Sequence, residues 1–161
     1  MGRAYVGLGS NLGDRSATLT RAVELLGERP GVHIVAVSSF HETVPVGYLD
    51  QPEFLNAAVA VETSLQPEAL LAVLLGVEHE LGRTREGPRY GPRIVDLDLL
   101  LIEGATVDAP GLTVPHPRLH ERAFALAPLA ELDPSLVVPG HGPVAQLLER
   151  LEAPEQLESP P

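Results

Sequence analysis

The chain has 161 residues, of which 44 % are hydrophobic, and a formal net charge of −11 from 22 acidic and 11 basic side chains. All 11 basic residues are arginines, and with no lysine and no cysteine the chain cannot use a lysine Schiff base, a P-loop lysine, a thiol nucleophile, a thiolate zinc site or a disulfide. The length fits one domain with a sizeable core, and the negative charge disfavours nucleic acid and anionic membrane surfaces as partners.

The N-terminal residues predict a strand followed by a helix. Residues 4–8 form an apolar run that ends in a cluster of turn-forming residues. Apolar residues then recur at helical spacing from Leu19 to Leu26, with Asp14 or Ser16 available as the N-cap. The chain starts without the long apolar core of a signal peptide, so we expect a cytoplasmic protein.

The middle of the chain continues the alternation of strands and helices. Residues 32–43 and 54–62 are predicted to be extended, and residues 67–81 show a second apolar stripe at helical spacing. After the polar residues 82–92, the run 94–102 is so rich in apolar and β-branched residues that it predicts a central strand. The element order is β-α-β-β-α-β, which is the ferredoxin-like split βαβ arrangement: an α+β fold with helices packed on an antiparallel sheet.

The C-terminal part predicts an extension of the same domain. Residues 112–114 favour a short strand, and residues 121–132 and 144–151 favour helices. We therefore expect a single domain over residues 1–152. Residues 153–161 are acidic and proline-rich, which is typical of a disordered tail.

Two aspartates lie two residues apart on the predicted central strand. Asp96 and Asp98 share one face of the strand, with Cα atoms about 7 Å apart. Leu100 and Ile102 continue that face, so we expect both faces of the strand to be covered. Two partly buried like charges need a compensating cation, and paired hard oxygens suit Mg²⁺ shared with substrate phosphates. An edge strand with solvated aspartates is the alternative explanation of the motif alone.

An arginine-rich segment precedes this strand. Arg83, Arg85, Arg89 and Arg93 are interrupted by a single acidic residue, Glu86, and form a cationic patch in an acidic chain. Guanidinium groups bind phosphate oxygens through bidentate hydrogen bonds. The patch next to the paired aspartates therefore indicates a Mg²⁺-nucleotide site, although a charged segment alone is more often a solvated linker.

A few isolated residues have the chemistry to bind a flat heterocycle or a phosphate. Asn56 and Glu78 lie within apolar patterns, and each has donors or acceptors that can contact the edge of a heterocycle or be satisfied internally. Phe54 and Phe124 can stack on a flat ring, and His116, held between two prolines, can donate to phosphate. The other histidines lack zinc-ligand spacing, and the glycines after the first strand break the dinucleotide-binding pattern because Leu12 occupies the position of the third glycine.

Four motifs in order make the chain resemble the 6-hydroxymethyl-7,8-dihydropterin pyrophosphokinase family over about residues 5–139. They are Gly-Ser-Asn-Leu-Gly at residues 9–13, Gln-Pro-Glu-Phe-Leu-Asn-Ala at residues 51–57, the segment from Gly82 through Arg93 to Asp98, and Val-Pro-His-Pro at residues 114–117. The resemblance implies transfer of pyrophosphate from ATP to the pterin hydroxymethyl oxygen, with AMP leaving and two Mg²⁺ ions bound.

The resemblance also implies roles for individual residues. Asp96 and Asp98 would hold the metal ions, Arg83 and Arg93 would stabilise the transferred group, and Asp98 is our candidate to accept the hydroxyl proton. The pterin side would be formed by Thr43, Val44, Val46, Phe54, Asn56 and Phe124. The ATP side would be formed by Glu78, Arg85, Arg93, Leu99, Thr113, His116 and Arg122.

Two other functions are compatible with parts of the pattern. A nucleotidyltransferase palm also carries D-x-D on such a sheet, but it requires a nucleic-acid surface that the net charge disfavours. A regulatory ligand-binding domain of the same architecture would not need paired aspartates beside four arginines. We expect a monomer that binds ATP and a reduced pterin and has no nucleic-acid or membrane partner.

Overall fold

The computed structural model describes residues 2–10, 14–43, 54–83 and 95–152. The strands in these ranges are β1 (Gly2–Ser10), β2 (Val32–Val37), β3 (His41–Thr43), β4 (Phe54–Thr63), β5 (Asp96–Ile102), β6 (Val107–Ala109), β7 (Leu112–Val114), β8 (Val137–Val138) and β9 (Gly142–Pro143). The α-helices are α1 (Arg15–Gly27), α2 (Pro67–Glu78), α3 (Ala123–Leu132) and α4 (Val144–Glu152).

The main sheet has the strand order β2-β4-β1-β5, and β3 adds to it by pairing with β4. Each neighbouring pair is antiparallel. Helix α1 connects β1 to β2, and α2 follows β4, so the predicted split βαβ arrangement is confirmed.

Each face of the sheet packs against a different pair of helices. On one face, the apolar stripes of α1 and α2, including Leu26 and Leu74, pack against odd-numbered β5 residues such as Leu97. On the other face, α3 and α4 pack through residues that include Leu126 and Leu147. The C-terminal extension therefore covers the face that the βαββαβ unit leaves open.

The prediction that residues 94–102 form a central strand is wrong, because β5 is at the end of the sheet order. The strand is apolar because α1 and α2 cover one of its faces and α3 and α4 cover the other from Leu100 onward, while among the described strands it pairs with β1 alone. Its outer edge is also occupied. The His116 N–H donates to the Leu100 carbonyl at 2.9 Å, and the Leu97 N–H donates to Glu78 Oε2 at 2.7 Å.

The expectation that Ile102 continues the face of the aspartates is also wrong. Tyr5 pairs with Leu101 and Val6 pairs with Leu99, so Leu100 is the extra residue of a β-bulge. The bulge reverses the alternation beyond Leu100. Ile102 consequently packs on the α1/α2 face, and Leu101 joins the α3/α4 face.

The helix ends follow the local chemistry of the sequence. Asp14, one of the two caps that the sequence offers beside Ser16, caps α1 and accepts a hydrogen bond from the Ala17 N–H to Oδ1 at 3.1 Å. Helix α2 ends at Glu78 and not at residue 81, because a π-helical turn, His79–Arg83, follows it. In that turn Gly82 has a φ of 105°, which favours glycine.

The C-terminal extension agrees with the predicted elements to within a few residues. A 3₁₀ turn, Leu119–Glu121, precedes α3, and α4 covers the second predicted helix. No helix in the ranges described has the length and apolar character required to cross a bilayer. The predicted tail, residues 153–161, lies outside the described residues.

Candidate active site

The candidate site lies on the face of the sheet that α3 and α4 cover, at the end beyond their packing. Asp96 is opposite Gly9 in the strand register, Gly9 is opposite Asn56, and Asn56 is opposite His41. Directly opposed residues of an antiparallel pair project to the same face. Four strands thus bring a carboxylate, a bare backbone, an amide and an imidazole into one row.

The next row of the same face continues the site toward the helices. Asp98 is opposite Gly7, and Gly7 is opposite Ala58. The glycines and the alanine at these positions have little or no side chain, so they add little bulk between the two aspartates and Asn56. Beyond this row, Tyr5 and Leu100 are covered by α3 and α4.

The two glycines are required for different reasons. A Cβ atom at Gly9 would lie 3.0 Å from Asn56 Oδ1, so a side chain there would displace the amide. A Cβ atom at Gly7 would lie 2.9 Å from Cδ1 of the buried Leu100. Gly9 therefore keeps the site open, and Gly7 allows the core next to the site to pack closely.

The two aspartates present hard oxygen donors to this open surface. Asp96 is half-buried and Asp98 is exposed, so the predicted cover on both faces begins only at Leu100. Gly9 and Gly7 lie opposite them on β1 and contribute no side chain of their own. Adjacent carboxylates on an accessible surface are the donor set that Mg²⁺ takes together with phosphate oxygens, so these residues fit the ion.

Glu78 supports the strand that carries the aspartates. Its side chain is buried, and Oε2 accepts a hydrogen bond of 2.7 Å from the N–H of Leu97, the residue between Asp96 and Asp98. The hydrogen bond satisfies the buried carboxylate and, in turn, an N–H on the edge of β5 that is not paired with any described strand. Glu78 therefore fixes the position of the β5 backbone at Leu97 relative to the end of α2.

His116 lies beside Asp98 and contributes a neutral imidazole. Burial lowers the pKa of His116, the charges of Arg122 and Arg118 lower it further, and Asp98 partly offsets them. Nδ1 accepts a hydrogen bond of 3.2 Å from the Arg118 N–H, so the ring proton resides on Nε2. The ring thus presents an N–H donor at neutral pH.

An aromatic and a cationic group lie at the start of α3. The Arg122 guanidinium lies 5.6 Å from the centre of the Phe124 ring, within cation–π distance. Phe124 is 40 % exposed, so part of its side chain is accessible to a flat ligand. Phe54 is half-buried and lies on the same face as Asn56, two residues away on β4.

The structure does not bring every predicted residue to this surface. The Leu99 side chain is buried on the α1/α2 face, so only its backbone is available to a ligand. Thr113 is exposed on β7, where it pairs with Asp108. The predicted residues Val44, Val46, Arg85 and Arg93 lie outside the described residues, while Thr43 ends β3 and Arg83 ends the π-helical turn.

A polar cluster next to the site was missed by the sequence analysis. His41, in register with Asn56, has Nε2 2.8 Å from Oε1 of Glu131 on α3, and Ser39 Oγ donates to the same oxygen at 2.7 Å. Neither the spacing of His41 nor the position of Glu131 predicts this pair, because 90 residues separate them. Only the packing of α3 on the sheet brings them together.

Comparison with known proteins gives one consistent result. The model of the family described as 7,8-dihydro-6-hydroxymethylpterin-pyrophosphokinase matches residues 5–134. A 2-amino-4-hydroxy-6-hydroxymethyldihydropteridine pyrophosphokinase of Methylorubrum extorquens is 51 % identical over 152 residues, which cover 94 % of this chain and 95 % of that protein. The protein of the same name from Bacillus subtilis is 54 % identical over 129 residues, covering 80 % of this chain and 77 % of that protein.

Some relatives and solved structures are longer. A mitochondrial folate synthesis bifunctional protein of Pisum sativum is 46 % identical over 127 residues, which are 79 % of this chain but 24 % of that protein. A crystal structure of an HPPK-DHPS in complex with substrates aligns with a TM-score of 0.77 at 14 % identity. The alignment covers 96 % of this chain and 44 % of that one, and at this identity it shows a shared fold.

Proposed function

Because this chain belongs to the 7,8-dihydro-6-hydroxymethylpterin-pyrophosphokinase family, we propose that it transfers pyrophosphate from ATP to the hydroxymethyl group of 6-hydroxymethyl-7,8-dihydropterin and releases AMP. The chain is an ATP-dependent pyrophosphokinase of folate biosynthesis. The observation that carries the site assignment is the row Asp96, Gly9, Asn56, which puts a metal-binding carboxylate and a heterocycle-binding amide on opposite sides of a bare backbone.

In this proposal the two substrates occupy opposite halves of the row. Asn56 lies where its amide can contact the edge of the pterin, with Phe54 and Phe124 stacking on the ring and Thr43, Val44 and Val46 contributing backbone groups. The phosphates lie over Asp96 and Asp98. His116 Nε2–H and the arginines 83, 85, 93 and 122 donate to phosphate oxygens, and Glu78, Leu99 and Thr113 line the nucleotide side.

The aspartates would hold two Mg²⁺ ions. When bound, the ions neutralise charge on the phosphate oxygens and help to align the β-phosphorus for attack. Without a cation, the Asp96 and Asp98 carboxylates repel each other and the phosphates. Holding them adjacent on an edge strand, with Glu78 fixing the backbone between them, prepares the site for a cation.

The reaction is a direct displacement between bound substrates. The pterin hydroxyl oxygen forms a bond to the β-phosphorus as the bond from that phosphorus to the bridging oxygen of AMP breaks, and the hydroxyl proton is lost. Asp98 is the candidate acceptor of that proton. A chain without lysine or cysteine is suited to this route, because catalysis then depends on positioning and charge stabilisation and not on a covalent intermediate.

We also propose that residues 1–152 form one domain that acts as a cytoplasmic monomer on small-molecule substrates. The 51 % identity to the Methylorubrum extorquens relative extends over 152 residues, which supports a single domain of this size. Size-exclusion chromatography with light scattering tests the monomer directly.

The decisive experiment measures nucleotide products. The purified chain is incubated with Mg·ATP, with the pterin alcohol, with both, and with both plus excess EDTA. We expect stoichiometric AMP and pterin pyrophosphate only where Mg·ATP and pterin are both present. ADP as the product, or AMP release that is independent of pterin, would contradict the proposed reaction.

A further inference from the structure

Glu131 on α3 accepts three hydrogen bonds from Ser39, which precedes β3, and from His41, the first residue of β3. Its Oε2 accepts a 2.8 Å bond from the Ser39 N–H, and its Oε1 accepts bonds from Ser39 Oγ at 2.7 Å and from His41 Nε2 at 2.8 Å. The donors are about 90 residues away in sequence. Such a set of contacts constrains the position of one element relative to another more than a single surface ion pair does.

The strand that Glu131 holds forms one border of the proposed pterin site. His41 pairs with Asn56 and Thr43 pairs with Phe54, so β3 runs beside the two β4 residues assigned to the pterin. A lateral shift of β3 would therefore move this border.

The helix that carries Glu131 also carries the opposite border. Phe124 precedes Glu131 by seven residues, or about 10 Å along an α-helix, and a seven-residue interval returns to the same side. The proposed stacking residue and the anchor are thus two turns apart on one stripe of α3. Fixing Glu131 to β3 fixes where Phe124 lies relative to Asn56.

We propose that Glu131 is a positioning residue for the pterin, setting the separation between Phe124 on α3 and the β3–β4 edge. The inference rests on the proposed function, because it assigns that edge to the pterin. Glu131 contacts neither substrate in this scheme. It acts through Ser39 and His41.

The chemistry of the contacts makes Glu131→Gln an informative substitution. Both carboxylate oxygens accept from donors, and a carboxylate only accepts, so His41 carries its proton on Nε2. Glutamine keeps the shape and one acceptor oxygen but turns an NH₂ group toward a donor. The hydrogen bonds to the oxygen that becomes NH₂ are then lost, and those to the remaining oxygen become weaker because the acceptor is no longer charged.

A matched control is available at the far end of the sheet. Glu62 pairs with Arg3 at 3.0 Å, and its side chain is 41 % exposed, against 40 % for Glu131. Glu62 lies on β4 six residues beyond Asn56, away from the aspartates and the pterin row. Glu62→Gln therefore removes an ion pair of similar exposure without touching the proposed border.

The experiment measures binding and turnover separately. For the wild type, Glu131→Gln and Glu62→Gln, calorimetry gives the Kd of α,β-methylene ATP and then the Kd of the pterin alcohol in the presence of that analogue. The analogue is used because the bond that breaks lies between the α- and β-phosphorus. AMP formation gives kcat and both KM values, and thermal unfolding gives Tm.

We expect Glu131→Gln to raise the pterin Kd and KM about tenfold while the nucleotide Kd changes less than about twofold, which corresponds to the loss of one charge-assisted contact. Glu62→Gln should leave both Kd values and both KM values unchanged. An unchanged pterin Kd in Glu131→Gln would overturn the inference. So would equal weakening of nucleotide and pterin, because that pattern indicates a general loss of structure.

A second variant protects the test against misfolding. Ser39→Ala removes one donor and keeps the backbone N–H, so it should raise the pterin Kd by less than Glu131→Gln does. The double variant should be no worse than Glu131→Gln alone within about twofold, since both changes act on one connection. Full additivity would contradict a shared role. If the wild type binds pterin but forms no AMP, the proposed reaction fails while the positioning role stands or falls on the Kd values.

Discussion

Glu78 Oε2 lies 2.7 Å from the backbone nitrogen of Leu97, the residue between the two aspartates. This contact links the last residue of α2 to the outer edge of β5, a strand that pairs with β1 alone among the strands described. The position of Asp96 and Asp98, the proposed metal ligands, is thereby set by a contact with α2. Glu78, although it is buried on the α1/α2 side of the sheet, can in this way affect the face that carries Asp96 and Asp98.

Replacing Glu78 should separate its structural effect from a direct contact with nucleotide. Glu78→Leu leaves the Leu97 N–H without its acceptor, which costs about 1–3 kcal/mol of unfolding free energy. Glu78→Gln retains an acceptor oxygen and should recover most of that loss. Urea unfolding and the KM for ATP are measured on both variants. If Gln and Leu destabilise the protein equally, the hydrogen bond to Leu97 is not what Glu78 contributes.

Removing either aspartate should abolish activity and leave the fold intact. Asp96→Asn and Asp98→Asn each remove a proposed metal ligand, and AMP formation should fall by about 10²-fold or more. Because the carboxylates repel each other in the metal-free protein, Tm should stay within about 3 °C of the wild type or rise.

The control for these variants is Glu149→Gln, an exposed carboxylate on α4 with no assigned role. It should change neither AMP formation nor Tm. Retention of full activity in Asp96→Asn or in Asp98→Asn would remove the basis for the metal site. A fall in Tm by about 10 °C in either variant would instead assign the pair a structural role.

The two glycines of β1 should respond in different assays. Gly9→Ala puts a Cβ atom 3.0 Å from Asn56 Oδ1, so it should raise the pterin KM with a small effect on Tm. Gly7→Ala meets Leu100 in the core at 2.9 Å and should cost about 1–3 kcal/mol of unfolding free energy through overpacking. Gly2→Ala, with nothing within 4 Å, is the control on the same strand. The same response from Gly9→Ala and Gly7→Ala would show that Gly9 does not serve the site.

Features that depend on interactions between residues close in sequence were predicted correctly, and features that depend on contacts between distant residues were not. Strand and helix periodicity is local, so the order of elements and the Asp14 cap of α1 are confirmed. The edge position of β5 depends on which strands pair, and the change of face at Ile102 depends on a bulge that no local pattern signals. The connection from Glu131 to β3 joins segments that only α3 packing brings together, so it could not be predicted from spacing.

The stability of the protein should depend on pH through Glu131. Hydrogen bonds from the Ser39 N–H, the His41 ring and Ser39 Oγ lower the pKa of Glu131 from its ordinary 4.5 to about 2. The unfolded chain therefore binds this proton at a higher pH than the folded protein does. The stabilisation is complete above pH 4.5 and is lost as pH falls from there through about 2.

Urea unfolding of the wild type and Glu131→Gln across this range should give a free-energy difference that shrinks toward low pH. Glu62→Gln, measured in parallel, accounts for the loss of one negative charge from a chain of net charge −11. A wild-type advantage over Glu131→Gln that stays constant down to pH 2 would show that the three hydrogen bonds do not hold this carboxylate ionised in solution.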